Sequence, residues 1–261
     1  MKVFAKRVVL GNGIDEPFRV VSAELGIKGD LIETVEERDT PSETSVEHLG
    51  ERVVCPAFVN AHTHVALSAF RGLASSETLR GNMVESLFYR LEENLSDEDM
   101  RAFARVGAYE CLLSGTGLVW DHYYGGAALA DAFVDAGLAA VLAPTVQDVS
   151  GPGAKKTEEQ LQATHELDQS SWSARGVWGA LGPHATDTVS PELWSRIGEL
   201  AEENDWVVHA HLAQSIEEYR RSVERHGCSP MQLLERTGVL SRARALLVHA
   251  LFVSDADLAL L

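Results

Sequence analysis

From Val53 onward, the chain alternates six times between a short apolar run typical of a strand and a longer segment typical of a helix. The strand-like runs lie near residues 53–60, 118–122, 138–146, 175–182, 206–212 and 245–249. Two helix starts are clear: Ser96, which is followed by three acidic residues, and Ser190, which is followed by Pro191. Because strands that alternate with helices favour a parallel sheet with helical crossovers, we expect an α/β fold.

The first 52 residues follow a different pattern. Apolar runs near 3–5, 7–10, 18–27 and 31–35 predict short strands, with a turn at Gly11-Asn12-Gly13. We therefore expect two domains. Residues 1–52 would form a small β unit, and residues 53–261 would form the α/β domain.

The first strand of the α/β domain leads into two histidines, His62 and His64. Side chains two residues apart in a strand project to the same face, so both imidazoles can reach one metal ion. The spacing alone is weak evidence, because most histidine pairs so spaced are ordinary surface or core residues. The context strengthens it, since three later histidines also lie near the ends of strand-like runs: His184, His211 and His249.

With these histidines the chain resembles the amidohydrolase superfamily, in particular its aminohydrolase and chlorohydrolase branch of nucleobase, adenosine-type and triazine deaminases. The most specific parts of the resemblance are residues 56–64 and His211. It implies a metal-dependent (β/α)8 TIM-like barrel, incomplete here with about six β/α units, and half of a small N-terminal β-sandwich. A smaller open α/β sheet is the alternative.

The resemblance implies a metal site at the C-terminal ends of the strands. His62, His64 and His211 would hold one divalent transition metal. Neutral imidazoles suit zinc or ferrous iron better than magnesium or calcium, and zinc is the metal that we expect first. The family's fourth ligand, an aspartate after the eighth strand, has no counterpart in the sequence.

The fifth strand carries two histidines on one face, His209 and His211. In the family this strand reads His-x-x-Glu, in which the histidine binds metal and the glutamate moves protons. This pattern assigns His211 to the metal, Gln214 to the glutamate position, and His209 to a supporting or packing role. Glutamine neither gains nor loses a proton near neutral pH, so the ordinary deaminase proton shuttle is in question.

The resemblance also assigns roles to two other histidines. His249 would act in catalysis beside Gln214, by contacting the attacking water and the substrate. His184 would bind the substrate by a hydrogen bond to its ring. For each of them, a structural histidine without a role in the reaction is the alternative.

The segment at 119–125 resembles the Asp-His-x-Tyr variant of this branch. Asp121 and His122 would orient the ligands of the first strand. Tyr123 and Tyr124 would line a ring-shaped substrate, although an aromatic pair beside a strand is more often packing.

Composition limits the partners. The formal charge of −17, from 39 acidic and 22 basic residues, disfavours nucleic acid and anionic membrane surfaces. Three cysteines without framework spacing indicate reduced thiols, and the sequence shows no signal pattern or membrane-length apolar run. We expect a cytoplasmic protein that acts on a small heterocyclic molecule, with a homo-oligomer as an open alternative.

The predicted function is a hydrolase acting on carbon–nitrogen bonds other than peptide bonds. A metal-activated water would attack a ring or amidine carbon, and deamination of an aminated heterocycle is the expected reaction. The alternatives are dechlorination or amide hydrolysis, an inactive scaffold, and a small-molecule binding domain without enzymatic activity. We also expect the 261-residue chain to be truncated, to be inactive alone, and to associate through the open edges of its first and sixth barrel strands.

Overall fold

The computed structural model of the protein describes residues 1–11, 13–73, 83–169 and 171–261. The chain forms two compact units, Met1–Ala57 and Phe58–Leu261. The sequence places this division five residues earlier, between residues 52 and 53. The turn predicted at residues 11–13 includes Asn12, which lies outside the described residues.

The first unit is a β-sheet built around its first strand. Its strands are β1 (Lys2–Leu10), β2 (Arg19–Lys28), β3 (Leu31–Glu37), β4 (Glu47–His48) and β5 (Val53–Val54). The first three form an antiparallel meander, and β4 and β5 both pair parallel to β1. Small and branched apolar side chains of β1 and β2 form its core, among them Val3, Val8 and Leu25. Strands β2 and β3 match the predicted runs at 18–27 and 31–35, whereas the two short strands predicted at 3–5 and 7–10 form the single strand β1.

The second unit contains parallel strands that follow one another in chain order. Within the described residues they are β6 (Phe58–Thr63), β7 (Thr116–Tyr123), β8 (Ala139–Val146), β9 (Val177–Gly179), β10 (Gly182–Pro183), β11 (Val208–Leu212) and β12 (Ala245–His249). Strand β7 lies between β6 and β8, and β8 also pairs with β9 and β10. A parallel bridge between Leu181 and Val208 leads to β11, which pairs with β12.

Helices lie between these strands, as the alternating pattern predicts. They are α1 (Tyr89–Glu92), α2 (Asp97–Leu113), α3 (Gly126–Ala136), α4 (Thr157–Gln169), α5 (Pro191–Asn204), α6 (Ile216–His226), α7 (Pro230–Thr237), α8 (Val239–Arg242) and α9 (Asp255–Leu258). Short 3-10 segments cover Val65–Phe70 and Ser173–Arg175, and a π-helical turn covers Val84–Phe88. Over the residues that the structure describes, no helix combines the length and apolar character needed to span a membrane.

Both helix starts singled out in the sequence are confirmed. The Ser96 hydroxyl accepts a hydrogen bond from the Asp99 backbone N–H, and the Asp99 carboxylate accepts one from the Ser96 N–H. At α5, the Ser190 hydroxyl accepts from the Leu193 N–H, and Pro191 occupies the first turn. These bonds satisfy amide groups that have no partner inside the helix.

Two strand boundaries differ from the prediction. The first predicted strand, 53–60, is divided into β5 and β6, because Pro56 lacks the N–H that a continuous strand needs. The fourth, 175–182, is divided into β9 and β10, because the Leu181 N–H turns to the Val207 carbonyl. Gly182 pairs with β8, and its backbone lies so close to that strand that a Cβ at this position would be 2.4 Å from the Pro144 carbonyl oxygen.

Two apolar clusters hold the strands of the second unit in place. In one, β7 and β8 pack against α2 and α3, with Leu129 and Phe133 fully buried. In the other, β11 packs against α5 and α7, with Trp194 and Leu234 fully buried. Burial of each such side chain contributes about 1.5–3 kcal/mol. The strand ends are therefore held on a rigid support.

Candidate metal and active site

Histidines from different parts of the chain converge at the carboxyl ends of the parallel strands. His62 lies in β6, His64 directly follows it, His211 lies in β11, and His249 ends β12. Their ring centroids lie between 4.8 and 5.5 Å apart in five pairings. Parallel strands present their carboxyl ends at one edge of a sheet, which explains the convergence.

Backbone carbonyls fix the protonation of two of these rings. The Nδ1 atom of His64 lies 2.5 Å from the His122 carbonyl oxygen, and the Nδ1 atom of His211 lies 2.9 Å from the His184 carbonyl oxygen. A carbonyl oxygen only accepts, so each Nδ1 carries the proton and donates it. Both neutral rings are therefore left with a bare lone pair on Nε2.

The two bare nitrogens face each other. The Nε2 atoms of His64 and His211 are 3.3 Å apart. Two lone pairs at this distance repel. A hydrogen bond between the two nitrogens would need an extra proton on one of the rings, and burial disfavours that positive charge. In tetrahedral coordination with metal–nitrogen distances of about 2.0–2.1 Å, two ligating nitrogens lie about 3.3–3.4 Å apart. The pair therefore fits a bound transition metal ion.

Among the described residues, two sets of three histidines could each hold a metal ion. Within each set, the ligand atoms lie within 4.8 Å of one another. One set is His62, His211 and His249, and the other is His64, His122 and His211. Both sets contain His211, but neither contains both His62 and His64, so the predicted trio of His62, His64 and His211 is not itself one of the two sets. In addition, the Nε2 atom of the buried His122 has no hydrogen-bond partner among the described residues.

His209 supports His62. It is fully buried, and its Nε2 lies 2.9 Å from the His62 Nδ1. When His62 donates in this bond, its Nε2 is free for a metal ion and the ring is held in place. The geometry agrees with the supporting role predicted for His209.

Burial keeps the histidines neutral. It lowers the pKa of His62 to about 3, with a further contribution from the neighbouring imidazoles. Burial also lowers the pKa of His64 and His249, and that of His211 well below its ordinary value. Neutral imidazole is the form that binds a metal, so these rings need no deprotonation at pH 7.

Two residues at the end of β7 position His64, as the sequence predicts. The Asp121 carboxylate accepts a hydrogen bond of 2.6 Å from the backbone N–H of Val65, the residue after His64. The His122 backbone carbonyl accepts from the His64 ring, and the His122 ring hydrogen-bonds to Thr145 at 3.0 Å. Asp121 and His122 are both fully buried, so this support is rigid.

A cavity of about 360 Å³ opens beside the histidines. Each of the predicted site residues lines it: His62, His64, His184, His211, Gln214 and His249. His184 is held by a hydrogen bond of 2.9 Å between its Nδ1 and Thr188, and its ring lies 4.8 Å from that of His211. Gln214 is anchored through its backbone N–H, which donates to the buried Glu218 carboxylate at 2.8 Å.

The cavity also contains residues of the first crossover, among which Glu92 was not singled out in the sequence. Glu92 and Tyr89 reach it from the first crossover, and Phe88 lies beside them. Burial raises the pKa of Glu92 to about 7, so this carboxyl group is half protonated at neutral pH. Glu92 is one of 39 acidic residues, and only its burial distinguishes it.

Among the curated relatives is a 5-methylthioadenosine/S-adenosylhomocysteine deaminase from Thermococcus kodakarensis. It is 30% identical over 256 residues, which cover 97% of this chain and 58% of that protein. The chain therefore spans little more than half the length of this relative.

Solved structures share the fold. A guanine deaminase from C. acetobutylicum, with bound guanine, superposes with a TM-score of 0.83 at 15% identity and covers all of this chain and 65% of that one. An adenosine deaminase from Xanthomonas campestris, with bound zinc, has a TM-score of 0.80 at 23% identity, over 99% of this chain and 59% of that one.

The chain also matches a protein family. Residues 53–261, which include every histidine of the candidate site, match the amidohydrolase family. Since this match covers most of the sequence, the chain belongs to the amidohydrolase family.

Proposed function

We propose that the protein is a metal-dependent aminohydrolase, which replaces the exocyclic amine of a heterocycle with oxygen from water and releases ammonia. The observation that carries the proposal is the pair of bare Nε2 atoms of His64 and His211, 3.3 Å apart on the wall of the cavity. A cation bound by both nitrogens would remove their repulsion. The deaminase relatives and the family membership support the reaction class.

His62, His64 and His211 would hold the ion. Three neutral imidazoles suit zinc or ferrous iron, and the zinc bound to the Xanthomonas adenosine deaminase supports zinc. A bound ion of this kind supplies Lewis acidity and lowers the pKa of water toward neutrality.

The other cavity residues would handle the substrate and the protons. His249 is neutral and lies with its ring centroid 5.5 Å from that of His62, so its free nitrogen can accept a proton from the attacking water. His184 would orient the heterocycle by a hydrogen bond to the ring. Gln214 can donate and accept hydrogen bonds through its amide but transfers no proton.

An adenine nucleoside is the substrate class that we propose. The names of the relatives point to methylthioadenosine, S-adenosylhomocysteine and adenosine. Flat aromatic side chains of Phe88, Tyr89 and Tyr124 line the cavity and suit the faces of a purine. A cavity of about 360 Å³ is within the usual range for a small-molecule site.

Hydrolysis with a different leaving group is the second candidate, and Gln214 favours it. This residue lines the cavity and occupies the position at which the family resemblance predicts a proton-carrying glutamate. A chloride leaving group needs no proton, whereas an amine must be protonated before it departs. Dechlorination of an aromatic heterocycle is therefore compatible with glutamine at this position, as is an inactive scaffold that binds the metal without turnover.

We also infer that the parallel strands β6–β12 belong to a (β/α)8 barrel and that the N-terminal unit belongs to a small β-sandwich. Sequential strand order with helical crossovers supports the barrel. The likeness of fold to the two deaminase structures supports both parts.

The test combines metal content with product analysis. The protein is purified with any coding sequence that follows residue 261, and it is assayed for bound metal and for ammonia released from methylthioadenosine, adenosine and guanine, with a chlorinated triazine as a further substrate. We expect about one metal ion per chain and ammonia from an adenine nucleoside. Chloride release without ammonia would favour the second candidate, and metal binding without any turnover would favour the scaffold.

Glu92 is expected to give substrate binding a pH dependence near neutrality. Its carboxyl group is neutral and can donate below about pH 7, and it is charged and accepts only above it. We expect the KM for methylthioadenosine to change with an inflection near pH 7, and Glu92→Gln to abolish the inflection. Glu93→Gln, at the exposed neighbouring position, is the matched control and should retain it. An inflection that survives in Glu92→Gln would exclude Glu92 as its source.

A further inference from the structure

Gln147 is a fully buried amide that joins two tyrosines of the cavity. It directly follows β8. Its Oε1 accepts hydrogen bonds from the Tyr124 hydroxyl at 2.9 Å and from the Gly153 backbone N–H at 3.0 Å. Its Nε2 donates to the Tyr89 hydroxyl oxygen at 3.2 Å. The side chain thus connects the first crossover, the end of β7 and the loop after β8.

The backbone fixes which end of this amide is which. A backbone N–H can only donate, so the Gln147 atom that faces Gly153 must be the oxygen. The nitrogen therefore faces Tyr89. Because that nitrogen has no lone pair to offer, the Tyr89 oxygen accepts the hydrogen bond.

The two tyrosines consequently present opposite polarity. Tyr124 uses its proton in the bond to Gln147. Tyr89 keeps its proton, and no other hydrogen bond holds the Tyr89 hydroxyl within the described part of the chain. Burial raises the pKa of Tyr89, so the hydroxyl stays protonated. Tyr89 therefore has an O–H group to donate to a ligand in the cavity.

The surrounding loop is shaped around the amide. A Cβ at Gly151, where φ is +99°, would lie 2.3 Å from the Gln147 Nε2. A Cβ at Gly153 would lie 3.0 Å from the Gln147 Oε1 and 3.2 Å from the Tyr124 ring. Only glycine allows the backbone to approach so closely, so the amide occupies a fitted site.

We propose that Gln147 is a positioning residue that sets substrate specificity by making Tyr89 a hydrogen-bond donor in the cavity. The feature recognised is a lone pair on the substrate, such as an unprotonated ring nitrogen or a sugar oxygen of a nucleoside. The choice of a nucleoside rests on the proposed function. The donor and acceptor roles of the two tyrosine hydroxyls do not depend on the proposed function.

The first test needs no substrate. In ultraviolet resonance Raman spectra, the tyrosine Fermi doublet distinguishes a hydroxyl that accepts a hydrogen bond from one that donates. The difference between wild type and Tyr89→Phe isolates Tyr89 from the other four tyrosines, and Tyr124→Phe isolates Tyr124 in the same way. We expect an accepting Tyr89 and a donating Tyr124 in the free protein. A Tyr89 that donates without accepting, or a Tyr124 that accepts, would overturn the proposal, whereas a Tyr89 that accepts and also donates to water agrees with it.

The second test uses methylthioadenosine. Tyr89→Phe should raise KM by about 3- to 10-fold, the range for one lost hydrogen bond, with little change in kcat. Tyr109→Phe is the matched control, because it removes the hydroxyl of an exposed tyrosine on α2 that does not line the cavity, and its KM should stay near the wild-type value. Equal effects of the two variants would contradict the proposal.

Gln147→Glu connects the two readouts. An ionised carboxylate keeps an acceptor for Tyr124 and Gly153 but draws the Tyr89 proton away from the cavity. The hydrogen-bonding state of Tyr89 in the Raman spectrum and the KM should therefore change together. The double variant that combines Gln147→Glu with Tyr89→Phe should show no further rise in KM. A donating Tyr89 with unchanged KM would refute the assignment. If the wild type neither binds nor deaminates the nucleoside, the proposed function fails, and the Raman result alone decides the role of Gln147.

Discussion

Replacing His211 by alanine is expected to remove the bound metal and to lower turnover by about 10³-fold or more. His211 belongs to both sets of converging histidines, and its Nε2 lone pair faces that of His64. Without this ligand, the site loses the ion and with it several kcal/mol of transition-state stabilisation, about a factor of ten for each 1.4 kcal/mol. Elemental analysis and steady-state kinetics measure the two effects.

Two other histidines serve as controls. His226→Ala changes a histidine at the end of α6 that does not line the cavity, and it should leave metal content and turnover unchanged. His249→Ala should retain the metal and lose activity, because we assign His249 to proton transfer. Undiminished metal in His211→Ala would refute the ligand assignment, and loss of metal in His249→Ala would make His249 a ligand.

Gln214→Glu is expected to raise the rate of ammonia release from methylthioadenosine by about 10²- to 10⁴-fold, the range typical of a positioned general acid–base. The side chain lines the cavity beside the histidines, and its backbone is held by Glu218. The substitution is nearly isosteric and adds a group that can carry a proton between water and the leaving amine. Single-turnover kinetics with ammonia detection measure the gain.

Gln162→Glu is the matched control for this gain, because it makes the same chemical change on the exposed side of α4. It should leave the rate unchanged. If Gln214→Glu leaves ammonia release unaltered or reduces it, the native reaction does not use a proton shuttle at this position. A parallel loss of chloride release from a triazine would then support the second candidate function.

Local physical chemistry explains what the sequence predicted of the fold. Strand and helix periodicities differ, so their alternation indicated a parallel sheet, and Ser96 and Ser190 marked helix starts because their hydroxyls replace missing backbone partners. The boundaries were less predictable. The division at Pro56 follows from its missing N–H, but the change of partner at Leu181 depends on a neighbouring strand that is distant in sequence.

Only part of the candidate site could be predicted, because some of its residues depend on contacts between segments that are distant in sequence. Histidines at strand ends stand out in an apolar context, and parallel strands bring their ends together, so the sequence drew attention to His62, His64 and His211; the family resemblance then grouped them as expected metal ligands. Glu92 and Gln147 could not be identified in this way. Each is an ordinary polar residue in sequence, and its importance arises from burial and from contacts between distant segments.

Anomalous diffraction from zinc-loaded crystals of the protein tests the central claim most directly. Data on either side of the zinc absorption edge locate the ion without reference to activity. We expect a single strong peak between the imidazoles of His64 and His211, about 2.0–2.1 Å from each Nε2, with the His62 ring also in coordination range. A map with no peak between these two rings, or with zinc bound only elsewhere, would contradict this claim.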